Sequence, residues 1–304
     1  MASEGNRENG KRMRGKIIKG IGGFYYVHVE GVGVYQCRAR GIFRKDGQKP
    51  LVGDDVDITI LHEADREGSV DALLPRKNSL IRPAAANVDQ VLVVFAAVSP
   101  KPNLNLLDRF LIMMARQDLP VKICFNKMDL ADPGEADRLA RIYEHCGCPA
   151  YFTSVARGDG LEEINALLEG KTTIVAGPSG VGKSSLTNYL QPGAAMEVGA
   201  VSRKIDRGRH TTRHTELIWI RENTYFLDTP GFSSLYLPQM KPEELSRYFP
   251  EFAPYEGNCR FQGCRHLSEP DCGVKEALEQ GRIHPSRYEN YCLMEEELEN
   301  RRRY

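Results

Sequence analysis

Residues 177–184 have the sequence Gly177-Pro178-Ser179-Gly180-Val181-Gly182-Lys183-Ser184. This is the phosphate-loop pattern of a glycine, four variable residues, a glycine, a lysine and a serine or threonine. The glycines let backbone N–H groups turn toward phosphate oxygens, Lys183 neutralises the outer phosphates, and the Ser184 hydroxyl suits a magnesium ion. The stretch therefore predicts a binding site for a nucleoside triphosphate. We include the next residue, Ser185, in this site and count Lys183 among the catalytic residues.

The sequence on both sides of this loop has the required pattern. Thr172–Ala176 predicts a buried strand before the loop, and Ser184–Leu190 predicts a helix after it. From residue 91 onward, apolar strands alternate with amphipathic helices, which predicts a parallel sheet covered by helices. The predicted strands are Val91–Val98, Val121–Phe125 and Ala150–Phe152, and the predicted helices are Leu104–Gln117, Glu135–Cys146 and Leu161–Leu168. Ligands of such sheets bind at the carboxyl ends of the strands.

Asn126-Lys127-Met128-Asp129 directly follows one of these strands. A carboxylate at Asp129 can accept hydrogen bonds from N1–H and the exocyclic amine of guanine, a pair that adenine does not offer. We therefore predict GTP as the nucleotide, with Asn126, Lys127 and Asp129 at its base. Thr153, Ser154 and Val155 follow the next strand and fit a loop that presents backbone to the base edge. The alternative for Asn126-Lys127-Met128-Asp129 is a surface turn that binds no nucleotide.

Asp228-Thr229-Pro230-Gly231 follows the apolar strand 225–227. We expect Asp228 to hold the hydration shell of magnesium and the Gly231 N–H to contact the γ-phosphate. The polar segment 203–214 is interpreted as a mobile switch in which Thr212, or with less support Thr211, completes magnesium coordination. Its alternative is a solvated basic loop.

Phe232 stands where many GTPases place a glutamine that orients the attacking water. Because a phenyl ring cannot do so, we expect weak intrinsic hydrolysis. His210 is the nearest polar candidate for this catalytic role, once the basic switch segment is ordered. RNA could supply that order, because Arg203, Lys204, Arg207 and Arg209 make the segment basic.

Composition and charge narrow the class of protein. The chain has 304 residues, 41% hydrophobic and 27% charged, and no run of about 18 apolar residues. The first residues have no stretch of signal-peptide type, so we expect a cytoplasmic protein without membrane contact and a flexible tail over 1–13. Of the eight cysteines, five are scattered, and a disulfide framework is not expected. These five are Cys37, Cys124, Cys146, Cys148 and Cys292.

Residues 14–75 contain short β-rich segments between glycine-rich turns, which predict a small OB-type barrel. Residues 1–50 carry 11 Lys or Arg and 4 Asp or Glu. Phe24, Tyr25 and Tyr26 stand among these cations, a combination that favours RNA binding, with core packing of the rings as the alternative. Residues 76–90 are interpreted as a linker.

Cys259, Cys264, His266 and Cys272 lie close together near the C-terminus. Their spacing lets all four ligate one tetrahedral Zn²⁺, with no open position for water, so we expect a structural metal. Helices are expected over Leu245–Phe249, Val274–Gln280 and Tyr288–Arg303. We assume that this zinc domain folds independently of the G domain.

The guanine motif precedes the phosphate loop, whereas in most GTPases it follows, so the G domain is circularly permuted. The chain resembles the ribosome-assembly GTPases of the RsgA (YjeQ) family in three features. These are the permuted motif order, the cysteine cluster and the segment Gly208-Arg209-His210-Thr211-Thr212. The resemblance implies a barrel before the G domain, a zinc domain after it, and the maturing small ribosomal subunit as target. The expected domains are 14–75, 91–232 and 233–304.

We therefore expect a monomeric GTP hydrolase that docks on ribosomal RNA through the barrel and the zinc domain, with hydrolysis of GTP to GDP controlling release. Residues 228–232 are interpreted as a second switch. Because the chain continues from them directly into the zinc domain, their movement between the GTP and GDP states can be transmitted covalently. One alternative is an RNA-binding guanine-nucleotide sensor with little turnover. Another is an ATP-dependent enzyme in which Asp129 is a surface residue.

Overall fold

The computed structural model describes residues 11–39, 49–81, 83–191, 216–228 and 234–302. The strands in these residues are β1 (Arg12–Ile21), β2 (Phe24–Val29), β3 (Gly33–Ala39), β4 (Asp55–His62), β5 (Glu67–Leu73), β6 (Ser79–Leu80), β7 (Ala85–Ala86), β8 (Gln90–Ala96), β9 (Val121–Asn126), β10 (Ala150–Phe152), β11 (Thr172–Ala176), β12 (Leu217–Arg221) and β13 (Thr224–Asp228). The α-helices are α1 (Leu104–Ala115), α2 (Glu135–Tyr143), α3 (Leu161–Leu168), α4 (Lys183–Leu190), α5 (Ala253–Glu256), α6 (Gly273–Glu279) and α7 (Pro285–Arg302). Short 3₁₀ helices cover Met128–Leu130, Pro242–Tyr248 and Pro250–Phe252.

The first five strands form a closed barrel in the order β1-β2-β3-β5-β4, with β4 pairing back to β1. Neighbouring strands are antiparallel except β3 and β5, which are parallel. Because side chains alternate along a strand, every second residue points inward. The buried interior residues are Ile17, Val27, Val29, Tyr35, Cys37, Val56, Ile58, Ile60 and Val70. The predicted small OB-type barrel is confirmed, and its five strands are the number found in an OB fold.

Four strands were not predicted from the sequence: β5, β12 and the two short strands β6 and β7. In β5, Gly68 interrupts the alternation, and the structure shows why a glycine stands there: a Cβ would lie 3.0 Å from the Thr59 carbonyl oxygen of β4. Strand β12 directly follows a polar segment and pairs antiparallel with β13 at the sheet edge.

The α/β region contains a six-stranded sheet in the order β10-β9-β8-β11-β13-β12. Strands β8, β9 and β10 are parallel, as predicted. All residues of β8 and β11 are buried, which is typical of parallel strands covered by helices. The carboxyl ends of these strands carry the predicted nucleotide motifs.

Helix α1 begins after Asn103, whose side chain accepts a hydrogen bond from the Leu106 N–H at 3.0 Å. This N-cap satisfies one of the four N–H groups that a helix end leaves unpaired. The buried face of α1 is apolar except for Asp108, which is fully buried. A buried carboxylate needs partners, and these come from the C-terminal region.

The residues after 234 contribute most of a second apolar core. Its members are Leu237, Leu245, Phe249, Phe252, Cys272, Val274, Ala277, Ile283, Tyr291, Met294 and Leu298, together with Ile112 of α1. Helix α7 begins at Pro285, earlier than the predicted start at Tyr288. The C-terminal region therefore shares its core with a helix of the G domain.

Two compact units divide the chain. The first comprises the barrel and the hairpins β6–β7 and β12–β13, and the second comprises β8 to β10, the phosphate loop with α4, and the residues from 234 on, while β11 is divided between the units. The segment interpreted as a linker contains the hairpin β6–β7, in which Ala86 donates a backbone hydrogen bond to the Val52 carbonyl. None of the helices in the described residues is long and apolar enough to cross a membrane.

Candidate nucleotide site and metal centre

The phosphate loop connects β11 to α4, the strand and helix predicted for it. Gly177 has φ 149°, and a Cβ at this position would collide with the Val94 carbonyl oxygen of β8. Gly182 has φ 100°, and a Cβ there would collide with the side-chain amide of Asn126. Only glycine therefore allows the loop to pass this close to β8 and to the guanine motif.

Lys183 is the first residue of α4 and its side chain turns back over the loop. Its ammonium donates to the carbonyl oxygens of Gly177 and Pro178 at 2.8 and 2.7 Å. The residue is 9% exposed. Ser184 and Ser185 follow in the first turn of α4 and are half-buried. The positive charge of Lys183 and the N-terminal end of α4 thus lie at the same loop, an arrangement that favours phosphate.

Asn126, the last residue of β9, connects three segments of the predicted site. Its amide nitrogen donates to the Val181 carbonyl of the phosphate loop at 2.9 Å. Its amide oxygen accepts from the Thr153 hydroxyl at 3.1 Å and from the Val155 N–H at 3.3 Å. The structure therefore brings together the phosphate loop, Asn126 and the loop after β10.

Asp129 lies in the 3₁₀ helix that follows β9. The Ser154 hydroxyl donates to Oδ1 of Asp129 at 2.6 Å, and the Arg157 guanidinium donates to the Asp129 carbonyl at 3.3 Å. Lys127 adopts φ 64°, and its ammonium donates to the Ser99 carbonyl at 2.8 Å. These contacts hold the guanine motif against the loops after β8 and β10.

Sequence reasoning missed Cys124 as a support of this site. Its thiol lies 3.3 Å from the Thr153 hydroxyl, which in turn donates to Asn126. Burial raises the pKa of Cys124 to about 11, so the group remains a neutral thiol. The only sequence signal for this role is its position two residues before Asn126, which places both side chains on the same face of β9.

Several predicted site residues lie outside the described residues. They are His210, Thr211, Thr212 and Gly231, as well as Phe232. Asp228 is the last residue of β13, and its side chain is likewise outside the described part of the chain. Their assignments stay predictions.

The four predicted metal ligands lie together. Their ligand atoms are all within 4.8 Å of one another. Cys259 Sγ and Cys272 Sγ are 3.9 Å apart, and His266 Nδ1 lies 3.6 Å from Cys259 Sγ and 3.4 Å from Cys272 Sγ. Four such ligands at tetrahedral zinc would be separated by about 3.8 Å between sulfurs and about 3.6 Å between sulfur and nitrogen. The observed spacing fits one such ion.

Glu256 and the helix α7 support this cluster, and sequence reasoning identified neither role. Nε2 of His266 lies 3.4 Å from Oε1 of Glu256, so a carboxylate faces the ring nitrogen that does not face the cluster. The hydroxyls of Tyr288 and Tyr291 donate to the backbone carbonyls of His266 and Arg265 at 2.6 and 2.7 Å. The loop bearing the ligands is therefore fixed on both sides.

The outer face of the barrel carries cations and aromatic rings. By strand alternation, the outward residues of β1 to β3 include Arg12, Arg14, Lys16, Phe24, Tyr26, His28 and Arg38. The Arg38 guanidinium lies 4.7 Å from the ring centroid of Phe24. Tyr25, in contrast, packs against the barrel core. Of the three aromatics singled out in the sequence, two thus face outward and one packs in the core.

Comparisons with known proteins agree with these features. The sequence matches the family described as RsgA GTPase over residues 73–238 and the family described as RsgA N-terminal domain over residues 14–70. The chain is 56% identical to the small ribosomal subunit biogenesis GTPase RsgA of Agathobacter rectalis, over 96% of this chain and 100% of that protein. It is 50% identical to the protein of the same name from Alkaliphilus metalliredigens, over 96% of this chain and 99% of that protein.

Two solved structures are similar along nearly the whole chain. The crystal structure of YjeQ from Thermotoga maritima has 37% identity and a TM-score of 0.77, covering 95% of this chain and 99% of that one. That of YloQ, described as a circularly permuted GTPase, has 40% identity and a TM-score of 0.75, covering 97% and 98%. The permuted motif order is thus shared with a relative of known structure. From the family matches, the relatives and the fold together, the chain belongs to the RsgA GTPase family.

Proposed function

We propose that this protein hydrolyses GTP and acts in the maturation of the small ribosomal subunit, whose RNA it binds through the barrel and the metal-binding region. The observation that carries the proposal is the side chain of Asn126. Through three hydrogen bonds it joins the loop after β10, which we assign to the base, to the phosphate loop. The relatives are named small ribosomal subunit biogenesis GTPase, and this name supports the small ribosomal subunit as the partner. Such a partner implies action in the cytoplasm, and we expect a monomer.

Guanine selection is assigned to Asp129. The hydrogen bond from Ser154 orients its carboxylate, which can then accept from N1–H and the exocyclic amine of guanine. Adenine offers an acceptor at the first of these positions, so a bound ATP would leave the carboxylate unpaired. We place the edge of the base against the backbone of Thr153, Ser154 and Val155.

The phosphate chain is assigned to the backbone of residues 177–182 and to Lys183. The ammonium now donates to two carbonyls of the loop, and phosphate oxygens would become its acceptors in the bound state. Ser184, Thr212 and Asp228 are the proposed ligands of magnesium, of which only Ser184 has a described side chain. The ion, when bound, neutralises charge that develops between the β- and γ-phosphates.

Water activation is assigned to His210, because Phe232 cannot orient a nucleophile. We propose that RNA orders the basic segment 203–214 and brings His210 to the γ-phosphate, so that turnover is high only on the correct partner. Both residues lie outside the described part of the chain. The proposal for them therefore rests on sequence chemistry.

The metal is assigned as one structural zinc ion held by three cysteines and His266. Thiolate and imidazole ligands at tetrahedral spacing favour zinc, and a site closed by four protein ligands leaves no position for a reacting water. Glu256 orients His266 and favours coordination through Nδ1.

The direct test measures GTP turnover with and without purified small subunits. We expect stimulation of at least tenfold at low salt and its loss at high salt, because contacts with phosphates weaken steeply with ionic strength. His210→Ala should abolish the stimulation and preserve GTP binding. Equal turnover with and without subunits would favour the alternative function, a guanine-nucleotide sensor.

Base selection has its own test. Asp129→Asn should lower GTP affinity by about 1–3 kcal/mol, because the amide loses the charge-assisted pair to guanine. Competition binding with labelled GDP measures this change. If ATP displaces GDP from the wild type at concentrations comparable with GTP, the assignment of Asp129 is wrong.

A further inference from the structure

A buried polar pair joins the barrel to the hairpin β12–β13, and the nucleotide site does not use it. His28 of β2 is 6% exposed and Tyr225 of β13 is 4% exposed. Nδ1 of His28 lies 2.9 Å from the Tyr225 hydroxyl oxygen, at hydrogen-bond distance. The ring of Trp219 in β12 covers the imidazole, with centroids 5.1 Å apart.

Both members of this pair are held neutral. Burial lowers the pKa of His28, and the nearby Glu30 only partly opposes that shift. Burial and the charges of Glu30 and Asp55 raise the pKa of Tyr225 to about 12. The contact is therefore a single directional hydrogen bond between neutral groups, which fixes geometry without burying charge.

Weaker contacts surround the pair. Lys19 of β1 forms an ion pair with Glu216 at 2.7 Å, and the Asn223 N–H donates to Glu30 at 3.3 Å. The Lys16 ammonium lies 5.6 Å from the centroid of the Tyr225 ring. Since these contacts are more exposed, the His28 to Tyr225 hydrogen bond is the most buried side-chain hydrogen bond between barrel and hairpin among the described residues.

Strand β13 continues from Tyr225 to Asp228 without interruption. Its backbone pairs with β12, and the Tyr225 N–H donates to the Lys171 carbonyl at 3.0 Å. A strand held in a ladder moves as a unit, so a displacement of Tyr225 along the strand displaces Asp228 as well. Asp228 is the residue to which the proposed function assigns a role at magnesium.

We propose that His28 and Tyr225 are positioning residues for GTP hydrolysis, which transmit the docking of RNA on the barrel to Asp228 through β13. This inference rests on the proposed function. It assigns to the barrel a part in setting the hydrolysis rate, in addition to binding. Because a misplacement of about 1 Å at a reacting site can lower a rate about a hundredfold, even a small shift of β13 would be measurable.

The test compares Tyr225→Phe with the wild type. We expect the ratio of stimulated to unstimulated kcat to fall about tenfold at saturating small subunits, while KM for GTP and affinity for the subunits change less than twofold. His28→Ala should behave like Tyr225→Phe, and His28→Gln, which retains a side-chain hydrogen-bonding group, should restore part of the ratio. Tyr35→Phe is the matched control, because it removes a hydroxyl from a buried tyrosine on the interior side of the barrel.

A spectroscopic readout reports the contact itself. Trp219 is the only tryptophan of the chain, so 5-hydroxytryptophan incorporated there can be excited separately from the tryptophans of ribosomal proteins. We expect its emission to change when small subunits bind the wild type and to change less in Tyr225→Phe. A residue that only stabilises the fold would alter the melting temperature without altering this response.

The possible outcomes separate the two proposals. If small subunits do not stimulate the wild type, the proposed function fails and the inference fails with it. If they stimulate the wild type and Tyr225→Phe equally, the inference alone is overturned. A loss of subunit affinity with full stimulation at saturation would overturn it too, because the pair would then act in docking.

Discussion

Two contacts within the molecule differ in the charge of their buried groups: that of the barrel with the hairpin β12–β13, and that of the C-terminal region with α1. The barrel meets the hairpin β12–β13 through the neutral pair His28 and Tyr225 and through the partly exposed ion pair of Lys19 with Glu216. The C-terminal region meets α1 through buried charges and a shared apolar core. The buried polar groups of the first contact are neutral, whereas those of the second are charged.

Arg287 of α7 is the centre of the contact between the C-terminal region and α1. Its guanidinium forms ion pairs with Asp108 of α1 and with Glu251, the latter at 2.7 Å, and all three side chains are buried. Asn290 donates to the second oxygen of Asp108 at 2.6 Å. Phe249 lies 4.7 Å from the Arg287 guanidinium. The carboxylates raise the pKa of Arg287 in spite of its burial, so the network stays charged.

Removal of the metal is expected to have the largest effect. A structural zinc in isolated fingers contributes about 10–16 kcal/mol to folding, which exceeds the stability of a typical domain. Because Ile112 belongs to the same core as the C-terminal region, a strong chelator should increase hydrogen exchange at least a hundredfold both after residue 252 and in α1. Cys264→Ser should act in the same direction. Unchanged protection of α1 in the metal-free protein would mean that the two domains fold independently.

Arg287→Ala should lower the free energy of unfolding by about 3–5 kcal/mol, because Asp108 and Glu251 are left buried without a counter-charge. Urea denaturation followed by far-UV circular dichroism measures this loss. Arg138→Ala, at the partly exposed pair with Glu135 in α2, is the control and should change stability by less than about 1 kcal/mol. A loss of similar size in both variants would remove the contrast between the two contacts.

Tyr225→Phe should lower stability by about 1 kcal/mol, the usual net value of a neutral hydrogen bond. Lys19→Met removes the surface ion pair of the same contact and should have an effect below about 1 kcal/mol. Thermal unfolding of both variants tests whether the buried pair dominates this contact. If Lys19→Met is the more damaging substitution, the barrel is held by surface charges instead.

The smallest expected effect is the pH dependence of the barrel contact. The folded state depresses the pKa of His28 below its ordinary 6.5, so the stability due to neutral His28 is complete above about pH 6.5 and is lost as pH falls toward the folded pKa. The charged groups around His28 and its partner Tyr225 are Glu30, Asp55 and Lys16. Denaturation between pH 7.5 and 5.5 should therefore weaken the wild type more than His28→Gln. Parallel curves for the two proteins would contradict this.

The sequence predicted those features that are encoded locally. The phosphate loop, the guanine motif and the metal ligands each consist of a short pattern with its own chemistry, and the barrel strands alternate in hydrophobicity. Contacts between residues far apart in the sequence are not marked by any short pattern of this kind. Arg287 and Asp108 are 179 positions apart, and His28 and Tyr225 are 197 apart. Each of these residues would also be acceptable on a solvated surface, so only the packing of the chain shows that they meet.

The assumption that the zinc domain folds independently illustrates this limit. Its four ligands lie within fourteen residues, 259 to 272, which suggests a self-contained unit. Ile112 of α1 belongs to the C-terminal core, and the sequence analysis did not assign it there. A helix with apolar residues on two sides is the pattern that could have revealed this packing.

The long separation of His28 and Tyr225 also has a consequence for biosynthesis. All five barrel strands are contained in the first 73 residues, so the barrel can close soon after it leaves the ribosome. Tyr225 is synthesised 197 residues after His28, which at 5–20 residues per second is a delay of about 10–40 s. During that interval a folded barrel presents His28 and its basic outer face to solvent, next to the RNA of the ribosome that is making it.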